Sequence, residues 1–138
     1  MILAKSIDKK WYAFGRNKLS HVFNDEKTFE SFTDVSAGLE TLKKHNVIQF
    51  STGSHFSLFV TDQGKLFVRG DAFIDSLVLA KSNSVIEVPI PDNYFVRKAY
   101  CSQGHSKQGA IAIIEVIDKN DKIKKFLSAG ISRFGLLG

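Results

Sequence analysis

The chain is poor in the residues that stiffen or cross-link a protein. Its 138 residues hold one cysteine, two prolines, one tryptophan and one methionine. A lone Cys101 excludes an internal disulfide and fits a reducing compartment. No apolar run approaches membrane-spanning length, and the N-terminal "MILAKSIDKK" is too short and too polar for a secretory signal. These features read as an intracellular chain without a membrane span. No G-x-G-x-x-G, P-loop, H-E-x-x-H, H-x-H or G-x-S-x-G spacing occurs. That removes the sequence signatures of a phosphate cradle, a zinc protease and a serine hydrolase. No cofactor, metal or small-molecule substrate is expected.

Phenylalanine is abundant instead, with 12 copies against three tyrosines. Much of the core must therefore be aromatic with few polar handles to satisfy. Hydrophobic residues make up 43% and charged residues 24%, a globular balance. The formal net charge is +5. The lysine pairs Lys9-Lys10, Lys43-Lys44 and Lys124-Lys125 each have acidic residues a few positions away, which reads as a solvated surface ahead of a nucleic-acid stripe.

One phrase recurs three times: "KKWYAFG" ending at Gly15, "GKLFVRG" at Gly70 and "KKFLSAG" at Gly130. These glycines stand 55 and 60 residues apart, a unit length that suits a four-stranded propeller blade with its turns. "SHFSLFVTDQGKLFVRG" is two apolar runs around an Asp-x-Gly turn at Gly64, a hairpin signal. "AIAIIEVIDKNDKIKKFLSAG" repeats it with a longer turn, and "MILAKSIDKKWYAFG" starts already inside the hairpin. Further upstream, "VIQFSTGSH" ends at His55 and "RKAYCSQGH" at His105, 50 positions on, with Gly53 and Gly104 one place out of register. The runs are apolar on both alternating faces, which a sheet buried on both sides requires. Residues 36–45 carry a weaker helical pattern, with Leu39 and Leu42 on one side. "SVIEVPIPD" alternates like a strand, and Pro89 and Pro91 confine it to an edge or a crossover.

With these motifs the chain resembles the regulator of chromosome condensation repeat family, whose repeats build seven-bladed β-propellers. "STGSHFSLFVTDQGKLFVRG" follows most of that repeat, and "RFGLLG", with Gly135 and Gly138, matches its terminal segment. "AFGRNKLSHVF" keeps the Gly-x-Asn and loses the later glycines, as does "VRGDAFIDSL". No WD dipeptide or double-glycine kelch signature appears. The expected fold is all-β: a partial propeller of antiparallel four-stranded blades with one short helix near 36–45. The expected division is a blade part at 1–23 and blades at 24–77 and 78–138. A full ring needs several more units, so the chain reads as a fragment of a longer protein, ahead of a short ring-completing protein or an open arc.

The resemblance makes His55 and His105 structural histidines that hydrogen-bond between strands, and neither has a second ligand at metal spacing. Gly15, Gly53, Gly64, Gly70, Gly104, Gly130, Gly135 and Gly138 become repeat positions that need positive φ or close backbone approach. Cys101 precedes His105 by four residues, yet an extended chain separates them by roughly 13 Å. Cys101 reads as a small buried filler, and His21 and His45 as surface residues. The "DKNDKIKK" run reads as a solvated hairpin tip. The function expected is a non-catalytic scaffold whose rim loops bind another protein, or which joins the remaining blades of its own protein. Guanine-nucleotide exchange on a small GTPase is the alternative that the resemblance implies, and docking on chromatin or RNA is a third.

Overall fold

The structure, a computed structural model, describes residues 1–17, 27–54, 56–70, 82–102 and 111–130. His21, His55, Gly104, His105, Gly135 and Gly138 lie outside the described residues. Ten strands alternate with turns: β1 (Ile2–Lys5), β2 (Trp11–Asn17), β3 (Lys27–Asp34), β4 (Val47–Thr52), β5 (Phe56–Thr61), β6 (Leu66–Gly70), β7 (Ser82–Glu87), β8 (Tyr94–Cys101), β9 (Ile111–Asp118) and β10 (Lys124–Gly130). They form three antiparallel meanders in chain order. The first sheet is β1-β2-β3, the middle β4-β5-β6-β7 and the third β8-β9-β10. The chain is all-β and folds as a partial propeller of successive sheets.

The middle sheet explains why both strand faces had to be apolar. Every residue of β5 and of β6 is buried. Phe56, Leu58, Val60, Leu66 and Val68 pack with Val96, Ala99, Ala112, Ile114 and Val116 of the third sheet. On the opposite face, Phe59 and Phe67 pack with Leu3, Trp11, Ala13 and Phe29 of the first. Each fully buried Leu or Phe in these seams contributes about 1.5–3 kcal/mol.

The glycine that ends each repeated phrase sets one rule. The residues four and two before it face the following sheet. These are Trp11 and Ala13 in β2, and Leu66 and Val68 in β6. Gly15 (φ 99°) and Gly70 (φ 113°) both sit where the strand register shifts, in a backbone region that favours glycine. Gly130 ends β10 opposite Ile111. Gly64 (φ 73°) closes the β5–β6 turn, its N–H donating to Thr61 O at 3.1 Å.

Two elements differ from their sequence-based expectation. Residues 36–45 do turn, but as a 3-10 helix, Ser36–Lys44, kinked at Leu39. Side chains three apart eclipse in that geometry, so Leu39 and Leu42 both reach the core of the first seam. The sheet divisions also fall elsewhere than 23/24 and 77/78. β3 pairs with β2 and β7 with β6, so each outer strand belongs to the sheet before it. The cause is their weak patterning: in β3 Phe29 is buried between exposed neighbours, and in β7 Val85 is buried between exposed Ser84 and half-buried Ile86. Such strands read as connectors. β7 is the edge strand that Pro89 and Pro91 predict, and both prolines follow it.

The middle and third sheets are also joined through side chains. Gln49 on β4 grips the free edge of β8: its amide donates to Ala99 O and accepts from Ala99 N–H, each at 2.9 Å. Ser51 Oγ accepts from Cys101 N–H at 3.0 Å. A Cβ on Gly53 would lie 2.6 Å from Ser102 O and 2.8 Å from Cys101 Cβ, so this approach requires glycine. At the other end, a Cβ on Gly64 would strike the Phe95 ring. Replacing Gln49 by alanine strands both Ala99 backbone groups and is expected to cost about 1–3 kcal/mol in urea denaturation. A change near zero would show that the grip carries no stability.

Candidate interaction rim

The meander order puts alternate turns at one end of all three sheets. The β1–β2 turn (6–10), the end of the 3-10 helix (43–46), the β5–β6 turn (62–65), the strap 88–93 and the β9–β10 turn (119–123) lie there. Strand direction agrees across sheets, because the contacts of Gln49 with Ala99 and Ser51 with Cys101 advance together along β4 and β8.

Backbone hydrogen bonds hold these turns. Ser6 N–H donates to Lys10 O at 2.9 Å and Lys9 N–H to Ser6 O at 3.0 Å. Asp62 N–H donates to Asn46 O at 3.0 Å, tying the β5–β6 turn to the chain entering β4. Val96 N–H donates to Gly64 O at 3.1 Å, tying the same turn to the third sheet. A shallow crevice of about 170 Å³ opens between that turn and the strap, with Lys65, Glu87, Asp92, Tyr94 and Lys119 around it.

The β9–β10 tip departs from a simple solvated tip. Asp118 organises it: its carboxylate accepts from Lys125 Nζ at 2.8 Å and from Asn120 N–H at 3.0 Å. Lys125 reaches Asp121 at 3.5 Å and lies 5.9 Å from the Tyr94 ring centroid. Lys119 joins the tip to the strap, its N–H donating to Asn93 O at 2.7 Å and its Nζ to Asp92 O at 2.9 Å. The Lys125 hydrogen bond, then the Asn120 N–H, hold the pKa of Asp118 below the usual aspartate value, and the Asp118 contact raises that of Lys125 in return.

The other residues singled out from sequence fall at the seams. Gly53 and Gly64 mark the two ends of the seam between middle and third sheets. His45 is half-buried rather than a plain surface residue, its ring 4.6 Å from that of Phe67. Cys101 is half-buried at the seam, its thiol donating to Ser51 O at 3.5 Å. Burial pushes that thiol up to about 12, so it is protonated at neutral pH. No group of three metal-ligating side chains occurs among the described residues. Gln49, Ser51 and Arg69 were missed by the sequence reading. Arg69 is buried and its guanidinium donates to Gly38 O, bracing the 3-10 helix. A signal for the first two was present: Gln49 with Ala99 and Ser51 with Cys101 stand 50 residues apart, the spacing of His55 and His105.

No protein-family model matches the chain, and no curated protein matches it. Solved structures do. The chain is similar in fold to human WBSCR16, with a TM-score of 0.59 at 20% identity over 83% of this chain. The match covers 29% of that protein's chain.

Two outcomes check the rim and the seam. Asp118 is depressed in the folded state, so its contribution is present above the unfolded aspartate range and lost as pH falls through the lower folded value. Asp118→Asn should therefore flatten the loss of stability below about pH 4 while lowering stability at neutral pH. Parallel wild-type and variant pH curves would contradict the ion-pair account. For Cys101, iodoacetamide should label the folded chain about a thousandfold more slowly than the urea-unfolded chain, following thiolate fraction. Equal rates would refute a protonated thiol sheltered at the seam.

Proposed function

We propose that the chain is a non-catalytic stretch of a larger propeller, whose turn-bearing rim docks a protein partner and whose outer sheet faces meet further blades. One observation carries this reading. The rim turns are pinned by backbone hydrogen bonds: Val96–Gly64 joins the middle sheet to the third, and Asp62–Asn46 and Lys119–Asn93 each brace a turn within its own sheet. A surface held in this way loses little conformational freedom when it binds. Stacked blades supply the platform while turn residues vary.

The outer faces support the second half of the reading. Phe14 and Phe32 stack at 5.7 Å on the outer side of the first sheet, and Phe32 is 58% exposed. Tyr100, Ile113 and Phe126 are exposed on the outer side of the third sheet. Adjacent exposed apolar side chains of this size mark a surface that is covered in use. The repeated phrases ending at Gly15, Gly70 and Gly130 favour relatedness to the regulator of chromosome condensation repeats. The fold match over 29% of a longer chain favours additional blades.

The test is charge reversal on the rim. Lys10→Glu with Lys122→Glu should abolish recovery of a stoichiometric protein partner, while Arg16→Glu at the other end of the sheets should leave it. Recovery that survives the rim change, or that vanishes with nuclease, sinks the protein-docking reading. Accelerated nucleotide release from a small GTPase would move the assignment to exchange activity.

A further inference from the structure

The rim end of the seam between first and middle sheets gathers positive charge, of which only the Lys43 ammonium has a carboxylate partner among the described residues. A crevice of about 40 Å³ opens there, lined by Lys5, Lys9, Lys43 and His45 over Trp11 and Val47. No carboxylate lines it among the described residues. Lys5 ends β1 and is half-buried, with its Nζ donating to the neutral Val47 carbonyl at 3.0 Å. The same ammonium lies 5.7 Å from the centroid of the Trp11 ring. Neither contact carries a full negative charge.

Of the neighbouring carboxylates, Asp8 stands 3.9 Å from Lys10, outside the crevice, and Glu40 balances Lys43 at 2.9 Å, which leaves Lys5 and Lys9 as the cations without an acid partner among the described residues. Lys9 has no ion pair among the described residues, and its backbone sits at φ 64° in the β1–β2 turn, closed by its N–H to Ser6 O. The imidazole of His45 is fixed against Phe67 at 4.6 Å. Burial, then the charge on Lys9, makes the Lys5 ammonium easier to deprotonate than an ordinary lysine. Two unpaired ammonium groups held together on anchored backbone, one of them half-buried, form a preorganised demand for an anion.

We propose that this crevice binds a phosphate-class oxyanion. Lys5 retains two N–H donors beyond its bond to Val47 O. Lys9 and Lys43 close the solvent side, and His45 offers a further donor. A crevice of about 40 Å³ admits one tetrahedral group and leaves the rest of any larger ligand outside. The site is independent of the protein-docking reading, because binding of inorganic phosphate is measured on the chain alone.

Trp11 is the one tryptophan in the sequence and lines the crevice, so its fluorescence reports occupancy. Inorganic phosphate is titrated at constant ionic strength set with sodium chloride. A saturable change in Trp11 emission is expected, with a rise in melting temperature from the linked binding. Lys9→Gln, an exposed turn change, should weaken binding about fivefold, and Lys5→Gln by more. If phosphoserine saturates the same change as phosphate, the ligand is a phosphomonoester on a larger molecule; if phosphate alone does so, it is the free ion. A flat titration overturns the proposal. So does acetate acting as well as phosphate, or a Lys9→Gln chain binding with unchanged affinity.

Discussion

The fold depends on how one sheet edge is satisfied. β8 is an edge strand, and the backbone groups on its free side need partners. β4 answers with side chains rather than with a ladder: Gln49 takes both groups of Ala99, and Ser51 takes the N–H of Cys101. The two strands thus lie side by side without merging into one sheet. That separation turns an antiparallel meander into stacked layers. Gly53 permits it, because any side chain there would push Ser102 and Cys101 away. Once the edges are set, β5 and β6 must insert between two neighbours, and each of their residues becomes buried.

The two seams that result differ in kind. The seam toward the third sheet is mainly aliphatic, built from Leu58, Val60, Leu66, Val68, Val96, Ile114 and Val116. The seam toward the first sheet is aromatic: Trp11 meets Phe50 and Phe59 edge to face, at 5.1 and 5.5 Å. Edge-to-face rings prefer defined angles, so this seam constrains relative rotation as well as spacing. It also carries buried polar groups, Asn17, Thr61 and Arg69, whose hydrogen-bonding demands narrow the allowed arrangements. Trp11 joins this core to the rim, with its ring against Phe50 and Phe59 on one side and the Lys5 ammonium on the other.

Much of this was legible in the sequence because it rests on local rules. The Asp-x-Gly turn at Gly64, the recurring terminal glycines and the apolar strands on both sides of each turn gave the hairpins and their stacking. The pairing of the outer strands β3 and β7 with the sheet before them is not legible, since a strand with little buried surface carries no strong period. The 3-10 form of 36–44 depended on tertiary demand, with two leucines required in one pocket. The rim was harder to read. A lysine near an aspartate in sequence says little about which pairs form: Asp118 takes Lys125, seven residues away, while Lys5 and Lys9 find no acid among the described residues. Gln49 looked like any polar strand residue, and only the 50-residue offset to Ala99 marked it.

The parity rule set by the repeated glycines extends past the seams that are filled. Four and two residues before Gly15 stand Trp11 and Ala13; before Gly70, Leu66 and Val68; before Gly130, Phe126 and Ser128. In the first two copies these side chains are buried beneath the following sheet, with Trp11 at 4% and Leu66 at 0% exposure. In the third, Leu127 and Ala129 turn back to the aliphatic seam, which leaves Phe126 pointing outward at 64%. The mirror case holds in the first sheet, where Phe14 stands outward at the place that Arg69 fills, buried, in the middle sheet. The exposed rings are therefore not strays on a polar surface. Phe14 and Phe126 occupy the positions that are buried where the middle sheet meets a neighbour, so the same alternation that packs the middle sheet sets which side chains the outer faces present.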